Sequence, residues 1–192
     1  MVHVAHRVHY SVADYLAFEE TTDAKHEYLE GQIYAMAGGT PEHAALSSAF
    51  AVLVGPQLAA GRCRTFSSDL RVGISETSLI TYPDSAVICG PVERDPNAAS
   101  VVTNPVLLLE VLSPSTREYD RTDKLDHYRH LKSLRQYVLV DPRGQTVELR
   151  TLGEDGAWST KVYQVGEVAS LDSVGARLDV RHLFATAAEP SA

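Results

Sequence analysis

Val106-Leu-Leu-Leu-Glu-Val-Leu112, the charged stretch from Ser115 to about Leu131, and Gln136-Tyr-Val-Leu-Val140 set the architecture of this chain. The first segment is short and aliphatic and predicts a strand buried on both faces; the third is a strand of similar make. Between them, Ser115-Thr116 opens a charged, amphipathic run that predicts a helix. Strand, helix, strand in that order reads as a parallel crossover. Asp141-Pro142-Arg143-Gly144 has the residue types of a turn that closes the last strand.

On the N-terminal side, Arg64–Gly73 and Thr81–Cys89 predict strands, the second buried on both faces. Thr40-Pro41-Glu42 caps an Ala/Leu/Val-rich helix that runs to Ala60 and stops at Gly61. Tyr28–Met36 predicts a hairpin turning at Glu30-Gly31, preceded by a Ser11-capped helix to Glu20. On the C-terminal side, Thr146–Leu152, Trp158–Val165 and a last segment to Phe184 read as an antiparallel extension. Without repeats or a linker, the pattern predicts a single domain over 1–185 and a flexible tail over 186–192.

Of the 192 residues, 44% are hydrophobic and 22% charged, which excludes disordered and collagen-like chains. No apolar stretch approaches the ~20 residues that span a bilayer. The first ten residues have no continuous apolar run before a small-residue cleavage site, so a cytoplasmic protein is expected. Cys63 and Cys89 lie far apart and outside any C-x-x-C, so neither a disulfide framework nor a thiolate zinc site is expected. A net charge of -8 weighs against binding DNA by overall basicity. Nucleic-acid binding would need a local basic patch, such as the residues between Arg117 and Arg143, or metal ions at an acidic site.

Two acids stand where apolar strands would ordinarily exclude them. Asp84 leads into Ala86-Val87-Ile88, and Glu110 interrupts the strand quoted above. An ionised, unpaired carboxylate buried there would cost several kcal/mol, roughly, so each needs a cation, a metal or a proton. Asp84 could instead begin a strand in solvent, and Glu110 could pair with Arg71 or Arg129. Two carboxylates converging from neighbouring strands make a minimal Mg²⁺ site for phosphodiester hydrolysis. Asp120, Lys124 and Tyr128 recur at i, i+4 and i+8, which puts them on one helix face, either as part of that site or as a solvated surface.

Pro83-Asp84, Glu110-Val-Leu-Ser-Pro-Ser-Thr116, and Asp120, Lys124 and Tyr128 together resemble the Uma-two family of the PD-(D/E)xK nuclease superfamily. Glu27-Tyr-Leu-Glu-Gly-Gln-Ile33, His43, Ser68-Asp-Leu-Arg-Val72 and Tyr137-Val-Leu-Val-Asp-Pro142 extend the resemblance over most of the chain. It implies an α/β (α+β) fold, restriction-endonuclease-like, with a mixed central sheet flanked by helices and antiparallel C-terminal strands. It implies a Mg²⁺- or Mn²⁺-dependent DNA endonuclease, acting as a homodimer. Asp84, Glu110 and the Val111 carbonyl would hold the metal, and Glu27 would be a helix-borne acid aimed at it. The superfamily Lys two residues beyond Glu110 is Leu112 here, so Lys124 would take over from the following helix. The alternatives are a non-catalytic DNA-binding or interaction protein on the same fold, and a metal-dependent hydrolase of another phosphate substrate.

Further candidate substrate contacts are His43, Asp69, Arg71, Ser113, Asp120 and Tyr128. Asp69 and Arg71 share a strand face and could equally form an ion pair. His43 could equally cap a helix, and His3, His6 and His9 recur at three-residue spacing without making a site.

Overall fold

The computed structural model describes residues 8–59 and 61–188, which form a mixed α+β architecture. Helix α1 (Val12–Glu19) starts with a capping box in which Ser11 accepts from Asp14 N and the Asp14 carboxylate accepts from Ser11 N. Strands β1 (His26–Leu29) and β2 (Gln32–Ala35) form the expected hairpin. Its two turn residues, Glu30 and Gly31, take φ of 48° and 82°, the left-handed geometry that matches strand twist. In helix α2 (Pro41–Leu58), Thr40 accepts from His43 N and proline occupies the first helical position.

Next come β3 (Cys63–Ser67), β4 (Arg71–Ile74), β5 (Leu79–Thr81), β6 (Ser85–Cys89), β7 (Arg94–Asp95), β8 (Ala98–Val102) and β9 (Leu107–Val111). The expected strand over Arg64–Gly73 is thus two strands, broken at Ser68-Asp69-Leu70. The one over Thr81–Cys89 is also two, broken at Tyr82-Pro83-Asp84, where Pro83 has no N–H for a ladder. Each break moves the chain from one sheet to the other. The β7–β8 pair was not legible in the sequence.

The helix expected through Leu131 is α3 (Arg117–Arg121) and α4 (Asp123–Tyr128), separated where Thr122 leaves helical geometry at φ −120° and ψ −89°. Strands β10 (Gln136–Asp141), β11 (Thr146–Leu152), β12 (Trp158–Tyr163), β13 (Val168–Leu171) and β14 (Ala176–Asp179) follow, and helix α5 (Val180–Ala187) closes the described chain. The antiparallel extension therefore ends in a helix, capped by Asp179 accepting from His182 N. Residues 186–187, expected in the tail, are helical, whereas 189–192, like His3 and His6, lie outside the described residues.

One six-stranded sheet runs β2-β1-β5-β4-β8-β7, a second β12-β11-β10-β9-β6-β3, and β13 and β14 pair in a two-stranded third. The crossover is as expected, with β9 and β10 parallel and α3 and α4 between them in the chain. Along β9, Leu107, Leu109 and Val111 pack with Leu46, Phe50 and Val54 of α2. Leu108 and Leu112 belong to the opposite core, with Leu125, Tyr128 and Tyr137. By strand alternation Glu110 lies on the same face as Leu108 and Leu112. The expectation of unlinked cysteines is corrected: Cys63 and Cys89 stand opposite each other on β3 and β6 and form a disulfide. Their separation of 26 residues concealed this direct cross-strand pairing.

Candidate active site

The β6–β9 register places Ser85 opposite Leu109, which brings Asp84, one residue before β6, level with Glu110. The two acids are tied to each other's backbones. Glu110 Oε2 accepts from Asp84 N at 3.3 Å, and Asp84 Oδ2 accepts from Val111 N at 2.7 Å. Ser47 of α2 donates to the Asp84 carbonyl at 2.7 Å, so the turn after Pro83 is held from both sides.

Glu110 is 4% exposed, too dry for an unpaired charge. Neither Arg71 nor Arg129 is its partner; Arg129 pairs with Asp126. Lys124 Nζ lies 2.9 Å from Glu110 Oε1, and Tyr128 donates its phenolic hydrogen to the same oxygen at 2.7 Å. Burial pushes the Glu110 carboxyl up to about 8, with the Lys124 ammonium offsetting only part of that rise. Three donors converge on its two oxygens and favour the ionised form against burial.

Lys124 also faces Glu27 Oε1 at 3.4 Å and Asp120 Oδ1 at 3.7 Å. Burial opposes its charge, but Glu110, Glu27 and Asp120 outweigh burial and hold it well above the usual lysine value. Asp120 is pushed up, chiefly by burial. The three residues read at i, i+4 and i+8 therefore do converge, although the helix breaks between them. Glu27 is on strand β1 rather than on a helix, and accepts a hydrogen bond from the Thr81 hydroxyl. Thr81 was missed because an apolar strand ending in Thr carries no distinguishing pattern.

His43, in the first turn of α2, places Nε2 at 3.1 Å from Asp84 Oδ2. Its hydrogen bond to Asp84 raises the imidazole above its ordinary value, against the effect of burial, and Val111 adds a backbone hydrogen bond. His43 thus belongs to the site rather than to the surface.

Glu27, His43, Asp84, Glu110, Asp120 and Lys124 line a groove of about 1490 Å³, whereas Tyr128, expected to contact substrate, is fully buried behind it. The groove exceeds the roughly 300–1,000 Å³ of small-ligand pockets and suits a polymer. Val111, Ser113 and Tyr119 line it too, whereas Asp69 and Arg71 lie outside. Asp69 pairs with Lys25 at 2.6 Å. Arg71 donates to Tyr82 and Ser100 and faces Glu19 at 3.7 Å, so the suggested Asp69–Arg71 pair does not form. Ser113 Oγ is engaged by Ser115 and Thr116.

Asp84, Glu110 and the Val111 backbone supply hard oxygen donors of the type Mg²⁺ and Mn²⁺ take. Among the described residues no three His, Cys, Asp or Glu side chains form a ready cluster, so a cation here would retain waters, as Mg²⁺ does. The donor set fits that ion on these terms.

The Uma2 family model, described as "Putative restriction endonuclease", matches residues 12–181. The chain belongs to this family. A Synechocystis sp. relative, "Uncharacterized protein slr1290", is 39% identical over 165 residues, which cover 86% of each chain. A second from the same organism, "Uncharacterized protein sll1609", is 32% identical over 148 residues, 77% of this chain and 84% of the relative. The crystal structure of "a putative nuclease belonging to DUF820" from Anabaena variabilis shares the fold of this Uma2 protein, with a TM-score of 0.75. That match covers 92% of this chain and 98% of the other at 22% identity. Among the described residues of the Uma2 chain no helix is long and apolar enough to cross a membrane.

Proposed function

We propose that this Uma2 protein is an endonuclease that hydrolyses DNA phosphodiester bonds with Mg²⁺ or Mn²⁺. The observation that carries this reading is the level pairing of Asp84 and Glu110 on adjacent strands, with Lys124 Nζ 2.9 Å from Glu110. When bound, the cation supplies Lewis-acid polarisation of the phosphate and an acidified water. Asp84, Glu110 and the Val111 carbonyl would hold it. Lys124 provides positive charge where the phosphorane becomes more negative, the role that a Lys at position 112 would otherwise play. Glu27 and Asp120 keep that ammonium charged and in place. Tyr128 fixes one Glu110 oxygen, and His43 holds a proton against Asp84.

Duplex cleavage favours two symmetry-related sites, and β12 leaves an outer strand with Val162 47% exposed, which supports a homodimer. Light scattering would report the assembly. A second reading, a DNA-binding protein without chemistry, draws on one observation: His43 and Lys124 already neutralise both carboxylates. Mn²⁺ titration by calorimetry, with Asp84→Ala as comparison, and plasmid cleavage by both proteins test the proposal. Binding and cutting that are both lost in Asp84→Ala support the nuclease; wild-type protein that binds DNA without binding metal or cutting supports the second reading.

A further inference from the structure

Lys124 has three N–H donors, and three carboxylates surround it. Its charge reaches the groove, but the ammonium is drawn toward Glu110 at 2.9 Å, Glu27 at 3.4 Å and Asp120 at 3.7 Å. A phosphodiester seated there gains from a hydrogen-bond donor that no carboxylate holds.

Five buried tyrosines cannot supply it, and Tyr163, also buried, does not line the groove. Tyr15 donates to the His26 carbonyl, Tyr28 to the Tyr10 carbonyl, Tyr82 to Glu19, Tyr128 to Glu110 and Tyr137 to the Asp120 carbonyl. Tyr119 differs. It sits on α3, lines the groove together with Glu27, Glu110 and Lys124, and its hydroxyl donates to no protein acceptor among the described residues. We propose that Tyr119 is a catalytic residue whose phenolic O–H donates to a non-bridging oxygen of the scissile phosphodiester; this rests on the nuclease reading above. The proton stays on the phenol throughout, so the contribution is a hydrogen bond that strengthens as charge builds on the phosphate oxygens. Burial, followed by the charge of Glu27, pushes this phenol up to about 12, so it is a neutral donor at physiological pH. Nothing in the sequence pattern singled it out, because a Tyr beside Asp120 in an amphipathic helix is an ordinary surface choice.

The test compares wild type with Tyr119→Phe in the full chain. The readouts are Mn²⁺-supported plasmid cleavage, affinity for a fluorescent DNA duplex in Ca²⁺, tyrosine difference absorption on adding that duplex, and urea unfolding. Expected are a kcat about tenfold lower, the scale of one lost hydrogen bond, with KM nearly unchanged. A phenol difference signal that appears on duplex binding in wild type and is absent in the variant is also expected. The unfolding midpoint should not move, since the hydroxyl has no protein partner. Equal kcat in an active pair, or a destabilised variant, overturns the role of Tyr119 and leaves the nuclease reading standing. Wild-type protein that neither binds nor cuts DNA overturns both.

Discussion

Asp84 and Glu110 hold each other's strands: the backbone N–H of Asp84 donates to Glu110, and Asp84 accepts from the residue after Glu110. Each carboxylate is thereby aimed before any ligand arrives. Preorganised oxygens bind a cation without a further ordering cost.

Replacing Lys124, itself 5% exposed, with Ala removes the ammonium from three carboxylates. Breaking a buried pair from one side costs about 3–5 kcal/mol, so urea denaturation is expected to show a loss of that size. Turnover should fall by about 10² or more in whatever fraction remains folded. Millimolar Mg²⁺ should raise the melting temperature of this variant more than that of wild type, because the cation relieves the same carboxylates. Equal shifts would place the cation elsewhere.

Tyr128→Phe leaves the core packing in place and deletes one donor to the buried Glu110. A hydrogen bond to a charged group is worth about 1.5–3 kcal/mol, and denaturant unfolding should lose that amount. A stability change near zero would mean that water or Lys124 replaces the phenol.

Arg117 holds Asp141 through two hydrogen bonds of 2.5 and 2.7 Å, and that bonding, against a smaller opposing effect of burial, sets the Asp141 carboxyl below the usual range. Because the folded value lies below the unfolded one of about 3.9, the unfolded chain takes up the proton first. The pair's stabilisation is whole above about pH 4 and fades as pH falls through the folded value. Melting temperatures measured downward from neutral pH should drop more steeply for wild type than for Asp141→Asn. Parallel acid limbs would contradict this assignment.

DNA binding should be weak, salt-sensitive and markedly tighter with Ca²⁺ than with a chelator. The basic run offers less free charge than its composition suggests: Arg117 and Arg121 face Asp141 and Glu148, and Lys124 is buried. Arg143, exposed at the groove rim, forms no ion pair among the described residues. Arg143→Ala should lower duplex affinity in Ca²⁺ and flatten its salt dependence by about one counterion. Unaltered salt dependence would remove Arg143 from the contact surface.

The crossover and the paired acids were legible because a buried charge in an aliphatic strand has few physical explanations. Lys124 was legible from its spacing, although the break at Thr122 was not, since a single non-helical residue leaves no mark in a 3.6-residue pattern. The transfers at Ser68–Leu70 and Pro83 were misread because each flank alone is a sound strand. Asp69 and Arg71 were drawn into the site by their alternation, yet a turn and separate partners send them elsewhere. The disulfide and the placement of Tyr119 depend on three-dimensional neighbours that no linear spacing encodes.

Lys124 touches Glu27 from one sheet and Glu110 from the other, with Asp120 of α3 as a third carboxylate. A slip of one sheet by a single strand residue, about 3.3 Å, would strip a neighbour from the ammonium and strand a carboxylate in a dry interior. The arrangement behaves as an interlock. A chain still emerging from synthesis, with Glu27 made but β9 and α4 not yet docked, has no assembled cation to lend to chemistry. The charged centre is complete only once the two halves are seated.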